Sequence, residues 1–293
     1  MSVSNATRAD RLIPVRAVMI AFLALALSPS PASAFAPAVV SVIHNFSLGA
    51  DYEDPSLVYL DTSVWELLVY ESSTSMVYIL SPSGRLKYYF KVDVADPAVL
   101  FAAPNGDIGL VSRAGELSLY DYRGNFIEKK HLRNGSGTAV TGGHYSPDRK
   151  AVFFADYHSQ AAYGVTLNGD VVFMKEGFRR ISDCVYQGGK VYVADQGGYS
   201  VMIYDADQGV LIHRFGRAGG KPGTFSLINR VYVSADGNVW VSDVGKRTLE
   251  VFNPTGEFET ELFLPGFRSA AFVNNIMYVS SNVLKAVTVY RIK

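Results

Sequence analysis

From Val231 the chain alternates apolar and polar residues with period two, Val231 and Val233 before Asp236-Gly237-Asn238, Val239 and Val241 after it. Successive side chains of a strand point to opposite faces, and Asp-Gly between two such runs is a strong hairpin signal, so two antiparallel strands are expected. A turn at Asp243 to Arg247 leads into a third run, Thr248 to Phe252, and Pro254-Thr255-Gly256 turns the chain into a fourth, Phe258 to Leu264. The same four-run phrase precedes it from Ile181 to Phe215, with Gly188-Gly189 in the first turn and Asp195 in the place of Asp243. Fainter copies lie upstream. Tyr145-Ser146-Pro147-Asp148 precedes Ala151 to Gln160, Asn105-Gly106-Asp107 precedes IGLVS and Leu119 to Phe126, and Trp65 to Tyr70 precedes Met76 to Leu86.

The turn glycines Gly84, Gly124, Gly169, Gly209 and Gly256 are spaced by 40, 45, 40 and 47 residues. A period of this length, each period holding four short strands, is the spacing of propeller blades. Five four-stranded units are visible, followed by a sixth, Ser269 to Ile292, with three strands (SAAFV, IMYVSS, VTVYRI). Val39 to Phe46 (VVSVIHNF) is a strand without a unit. The predicted fold is therefore all-β: a six-bladed β-propeller of four-stranded antiparallel blades, the last blade closed by the N-terminal strand. Such closure removes two unpaired sheet edges. Two packed β-sandwiches are the alternative, which requires no repeat of this length.

The first residues follow another pattern. Arg8, Arg11 and Arg16 precede an apolar run, Ala17 to Leu27, and Ala32-Ser33-Ala34 follows. This is the layout of a secretory signal, with cleavage expected before Phe35. The run is too short to span a bilayer, and Pro29 and Pro31 follow it closely. Residues 1–34 are thus read as a signal peptide and 35–293 as one propeller domain, secreted or periplasmic, with no transmembrane segment after signal removal. Composition agrees with a packed domain: 48% of residues are hydrophobic and only 18% charged, which excludes disorder. Lys+Arg and Asp+Glu balance at 27 each, so nothing draws the chain toward nucleic acid, and no nucleic-acid partner is expected. Cys184 is the single cysteine and excludes an intramolecular disulfide; it is expected to be buried and inert. Asn45 and Asn134 open glycosylation acceptor triplets, relevant in a eukaryotic host.

Phe215 to Phe258, FGRAGGKPGTFSLINRVYVSADGNVWVSDVGKRTLEVFNPTGEF, resembles the NHL repeat: FG, a glycine-rich loop, F, a strand, DGN, a VxD strand, an aromatic-containing strand and a closing turn. Ile181 to Phe215 matches as a second copy, and the other four units are degenerate. The resemblance implies a six-bladed NHL-like propeller. It implies no one activity, because the family includes lyases, RNA-binding modules, adhesion domains and receptor sensors. Amidating lyases of that group hold zinc with histidines that start inner strands. The corresponding places here carry Asn229, Asp183, Cys184 and Ser269, with His144 the one histidine, so the resemblance does not extend to that activity.

Asp156, Asp195 and Asp243 end the second strand of their units, where a carboxylate can accept hydrogen bonds from the N–H groups of the following turn; a structural role is expected. The FGRAGGKPG stretch is read as an interblade loop, since a phosphate-cradling loop requires GxxxxGK[ST] between a strand and a helix. No G-x-S-x-G or HExxH occurs. Glu128 to Arg133 is read as the solvated outer edge of a blade. Inner-strand entrances surround the channel mouth of a propeller, which places Asp54, Asp96, His144, Asp183, Asn229, Arg230 and Arg268 at a candidate ligand-binding rim.

Two functions follow. The leading one is an exported, monomeric binding or scaffold protein that recognises a protein, peptide or glycan through its rim loops. The alternative is a metal-dependent hydrolase or lactonase at the channel mouth, with Asp54, Asp96, Asp183 and Asn229 holding a divalent cation (Ca or Zn) and His144 as general base. The Glu/Asn/Asn/Asp set of lactonase-type propellers has no residue-by-residue match here.

Overall fold

In the computed structural model, which describes residues 37–44, 54–133 and 137–292, every regular element is a β-strand, and no helix is long and apolar enough to cross a membrane. The first strand, β1, is Ala38–Ile43. Blade 1 is then β2 (Pro55–Asp61), β3 (Glu66–Glu71), β4 (Met76–Leu80) and β5 (Leu86–Lys91). Blade 2 is β6 (Pro97–Ala102), β7 (Ile108–Ser112), β8 (Glu116–Tyr120) and β9 (Phe126–His131). Blade 3 is β10 (Val140–Ser146), β11 (Ala151–Asp156), β12 (Ala161–Thr166) and β13 (Val171–Glu176). Blade 4 is β14 (Ile181–Gln187), β15 (Lys190–Asp195), β16 (Ser200–Asp205) and β17 (Leu211–Phe215). Blade 5 is β18 (Ile228–Val233), β19 (Val239–Asp243), β20 (Thr248–Phe252) and β21 (Phe258–Phe263). Blade 6 comprises β22 (Phe267–Val273), β23 (Ile276–Ser281), β24 (Ala286–Arg291) and, outermost, β1. The molecule is thus a six-bladed β-propeller of four antiparallel strands per blade.

Closure runs through the register Val39↔Tyr290, Ser41↔Val289 and Ile43↔Val287. The expected strand from Val39 to Phe46 is shifted: it starts at Ala38 and ends at Ile43, and Asn45 and Phe46 lie outside the described residues. So do the expected signal segment, residues 1–34, and the acceptor Asn134. Ile43 is buried in the apolar cluster between blades 1 and 6 and is paired with Val287, which couples strand β1 to both blades. Gly84 admits it. A Cβ on Gly84 would lie 2.9 Å from Ile43 Cγ1, and Gly84 has φ +88, a conformation that L side chains rarely adopt.

The core is not central. Six apolar clusters lie between neighbouring blades, each drawing residues from two sheets. Both faces of a blade are therefore covered, and the middle strands are buried throughout, as in β7, β11, β19 and β20. Period-two alternation survives poorly there, for a two-faced burial favours continuous apolar runs. The outermost strands are mostly exposed. Glu128 to His131 lies on one of them, with Lys129 and Lys130 paired to Glu116 and Glu128.

One register feature positions everything at the axis. In each blade the ladder between first and second strands is interrupted after its first pair, so Ser56, Ala98, Thr141, Ser182, Asn229 and Arg268 are bulged. A bulge re-aims the side chains after it. Leu57, Val99, Gly142, Asp183, Arg230 and Ser269 consequently share one level around the axis. Tyr59, Phe101, His144, Val185, Tyr232 and Ala271 form a level two residues deeper.

Candidate functional site

The same register fixes the second-strand ends. Glu71, Ser112, Asp156, Asp195, Asp243 and Ser281 each pair with the first inner-strand residue of their blade, and all six are buried. Asp243 accepts from the backbone N–H groups of Ser226 (2.6 Å), Leu227 (3.0 Å) and Lys246 (3.1 Å). Asp195 accepts from Arg180 N and Gly198 N, and Asp156 from Ala139 N and His158 N. Each carboxylate thereby ties the loop entering the inner strand to the turn leaving the second strand. Glu71 does the same in blade 1, taking Asp54 N, Ser73 N and Thr74 N; burial pushes its carboxyl up, but side-chain hydrogen bonds from Ser73 and Thr74, with the Ser73 and Asp54 N–H groups, hold it below the usual range. Reading the position as an aspartate overlooked Glu71 and the serines of blades 2 and 6; the register, not the residue type, identifies them.

Inner strands have one unpaired edge, and their N–H groups find acceptors on the neighbouring blade. Val231 N donates to Asp183 Oδ2 at 3.0 Å, and Val58 N to Ser269 Oγ at 3.4 Å. Asp183 is fully buried and serves three partners. His144 Nε2 lies 3.1 Å from Oδ2, and Arg230 Nη1 is 3.6 Å from Oδ1. Burial would raise the Asp183 carboxyl, but His144, Arg230 and the Val231 N–H together hold it below its ordinary value. Arg230 Nη2 then reaches Ala98 O at 3.4 Å. Ala98 belongs to blade 2, opposite blade 5, so Arg230 crosses the axis. Gly142 makes room: a Cβ there would sit 2.5 Å from both Arg230 Nη1 and Asp183 Oδ1.

This bridge divides the channel into two cups. The cup on the strand-entrance side has a volume of about 500 Å³ and takes residues from all six blades, among them Ser56, Asp96, Thr141, Arg180, Asn229 and Arg268. The opposite cup is about 190 Å³ and is walled by Tyr59, His144, Tyr145, Tyr186, Tyr232 and Phe272. Arg230 lines both.

The predicted rim residues are therefore not one constellation. Asp96, Asn229, Arg230 and Arg268 line the larger cup, His144 the smaller, and Asp183 is sealed between them. The register explains the split, because His144 stands two residues deeper than Asp183. Asp54 lines neither; its Oδ2 accepts from Ser72 Oγ at 2.5 Å. Asp96 is paired with Arg113 at 2.5 Å. The proposed cation ligands Asp54, Asp96, Asp183 and Asn229 do not converge, and among the described residues no three His, Cys, Asp or Glu side chains are grouped to hold a metal. Cys184 is buried, and burial beside the Asp183 charge pushes its thiol well up, away from nucleophilic use. Arg113 and Arg180 also line the larger cup and were not foreseen. Loop arginines read as solvated charge, and only the approach of blades 2 and 4 to one axis gives them a common place.

No family model matches the chain, and no curated protein matches it in sequence. Similarity is found to solved structures. The WD40 β-propeller domain of Doa1 is similar with a TM-score of 0.61 at 12% identity, covering 87% of this chain and 96% of that one. A catalytically inactive virginiamycin B lyase from Staphylococcus aureus with quinupristin gives 0.63 at 10% identity, covering 88% and 99%. A streptogramin B lyase gives 0.61 at 10%, covering 88% and 98%. At such identities the likeness is one of fold.

Proposed function

We propose that this chain is an exported, non-catalytic binding protein that seats its ligand in the larger cup, where the inner strands begin. One observation carries the reading: a cavity of about 500 Å³ to which every blade contributes, with a floor of paired charges. Its size is that of small-molecule sites, and its walls sit on strands and short turns, so the site is preorganised. Neighbours of the same fold include a WD40 domain and lyases, so architecture alone does not choose a function. The choice rests on the site. Asp183 is sealed from both cups, its Oδ2 taken by His144 and the Val231 N–H and its Oδ1 facing Arg230 at 3.6 Å, and Asp96 is occupied by Arg113. Rim loops around the cup would also present a protein, peptide or glycan chain to it. Export rests on the arginine-led apolar run and the Ala32-Ser33-Ala34 sequence.

Two measurements test this. Elemental analysis of the purified full chain is expected to find no stoichiometric Ca or Zn. A thermal-denaturation screen of small solutes is expected to return ligands whose stabilisation disappears in Ser56→Trp, which fills the cup. One equivalent of metal, lost in Asp183→Asn, would overturn the binding reading in favour of the hydrolase.

A further inference from the structure

The larger cup holds an uneven distribution of charge in a chain with none overall. Arg113, Arg180, Arg230 and Arg268 line it, and Asp96 is the one carboxylate in the lining among the described residues. Counting Asp183, which neutralises Arg230 from behind, four guanidiniums face two carboxylates, a local excess of about two positive charges at neutral pH. The arrangement follows the ring. Arg113 lies in the β7–β8 turn of blade 2, Arg180 immediately before β14 of blade 4, and Arg268 on β22 of blade 6, so the three come from alternate blades around the mouth. Arg230 forms the floor between them. Arg113 is already engaged, by Asp96 and by Val140 O and Thr141 O at 3.4 and 3.3 Å. Arg180 and Arg268 are exposed, and neither side chain has a carboxylate or hydrogen-bond partner among the described residues. Surface arginines ordinarily point into solvent; these two instead line one concave, partly enclosed space, where low-dielectric walls strengthen their field.

We propose that this cup is a seat for a small organic oxyanion, a reading that rests on the cup being the ligand site. A carboxylate, sulfate or phosphate head is held between Arg180, Arg268 and Arg230, whose forked donors match two oxygens at once. Asn229 and Thr141 supply neutral polar groups at the same level, and Tyr157 and Val244, both substantially exposed, offer apolar surface to the carbon body. The local charge excess among the described residues favours a dianion over a monoanion, and the carboxylate they place in the lining, Asp96, is already paired with Arg113.

The test is a calorimetric titration of the full chain with inorganic phosphate, sulfate, citrate and phenyl phosphate at low salt. One phenyl phosphate per chain is expected, bound more tightly than inorganic phosphate. Arg180→Gln and Arg268→Gln are each expected to weaken it about tenfold, the loss of one charge-assisted interaction. Tyr157→Ala should erase the advantage of phenyl phosphate while leaving inorganic phosphate unchanged. Arg149→Gln, whose partner Asp207 lies away from the cup, serves as a control that should bind normally. Both arginines tested are exposed, and melting curves of the variants confirm the fold. Tighter binding of citrate would assign the head as a carboxylate, and of phenyl phosphate as a phosphate. Equal binding by wild type and both arginine variants, or no binding of any of the four at millimolar concentration, would overturn the oxyanion seat. Neither result touches the wider binding reading, which stands or falls on the metal analysis and Ser56→Trp.

Discussion

At the scale of single residues the axis bridge carries the largest electrostatic stake. Removing one member of a buried ion pair leaves its partner charged and unpaired, a cost of about 3–5 kcal/mol. Arg230→Met is therefore expected to lower stability by that order in urea denaturation, and Asp183→Asn added to it should recover part of the loss, since the amide still accepts from Val231 N–H. Because the Asp183 carboxyl is held below its ordinary 3.8, its stabilisation is complete above about pH 4 and is lost as pH falls further. Glu250 behaves in the opposite sense. It is buried in β20, and burial pushes its carboxyl up to about 7, although the Lys246 ammonium beside it and the Gly223 N–H pull it down. A carboxyl easier to protonate when folded contributes stability below about pH 4.5, its unfolded value, and loses it as pH rises to about 7. Glu250→Gln is expected to flatten stability over that window, measured by denaturation at a series of pH values, with Lys246 still partnered by Glu261 at 3.7 Å.

Elements were legible from sequence where the signal is local. The DGN hairpin of blade 5, the glycine turns and the incomplete last unit all sit within a few residues of the feature they predict. The recurring glycines have different physical roles, however. Gly84 and Gly256 each admit an apolar side chain of the preceding blade's outer strand, Ile43 and Phe215, whereas a Cβ on Gly169 or Gly209 would meet nothing and only their positive φ requires glycine. The turn carboxylates stabilise elements through loop-to-turn ties. Asp243→Ala leaves three backbone N–H groups without their acceptor and is expected to cost about 2–3 kcal/mol, read as a lowered melting temperature. The cup was not legible to the same degree. Arg230 and the Ala98 carbonyl it reaches are 132 residues apart, and their meeting depends on a bulge recurring in six strands that no local pattern announces.

For the whole molecule, period and remainder sufficed: five complete units, one short of a strand, and one strand without a unit define a closed ring. What they could not give is depth along the axis, which is why the residues expected on a single rim, Asp54 apart, occupy two cups and the wall between them. The closing strand should be energetically decisive. Ile43→Ala is expected to cost about 2–5 kcal/mol, because the void opens between blades 1 and 6 where both sheets depend on it. Deleting residues 38–43 exposes the edge of β24 as well, and light scattering should then detect association at concentrations where the intact chain stays dispersed.

Strand β1 also imposes an order of events. Ribosomes deliver Ala38–Ile43 long before its partner Ala286–Arg291, so the earlier-made strand must wait, unmated, until blades 1 to 5 have appeared. Earlier blades can pair internally as they emerge, yet the circle has no lock before Ala286–Arg291 arrives. Until that late mating is made, the partly built circle stays easy to unravel, and kinetic resistance to unfolding arrives with the last pairing rather than blade by blade.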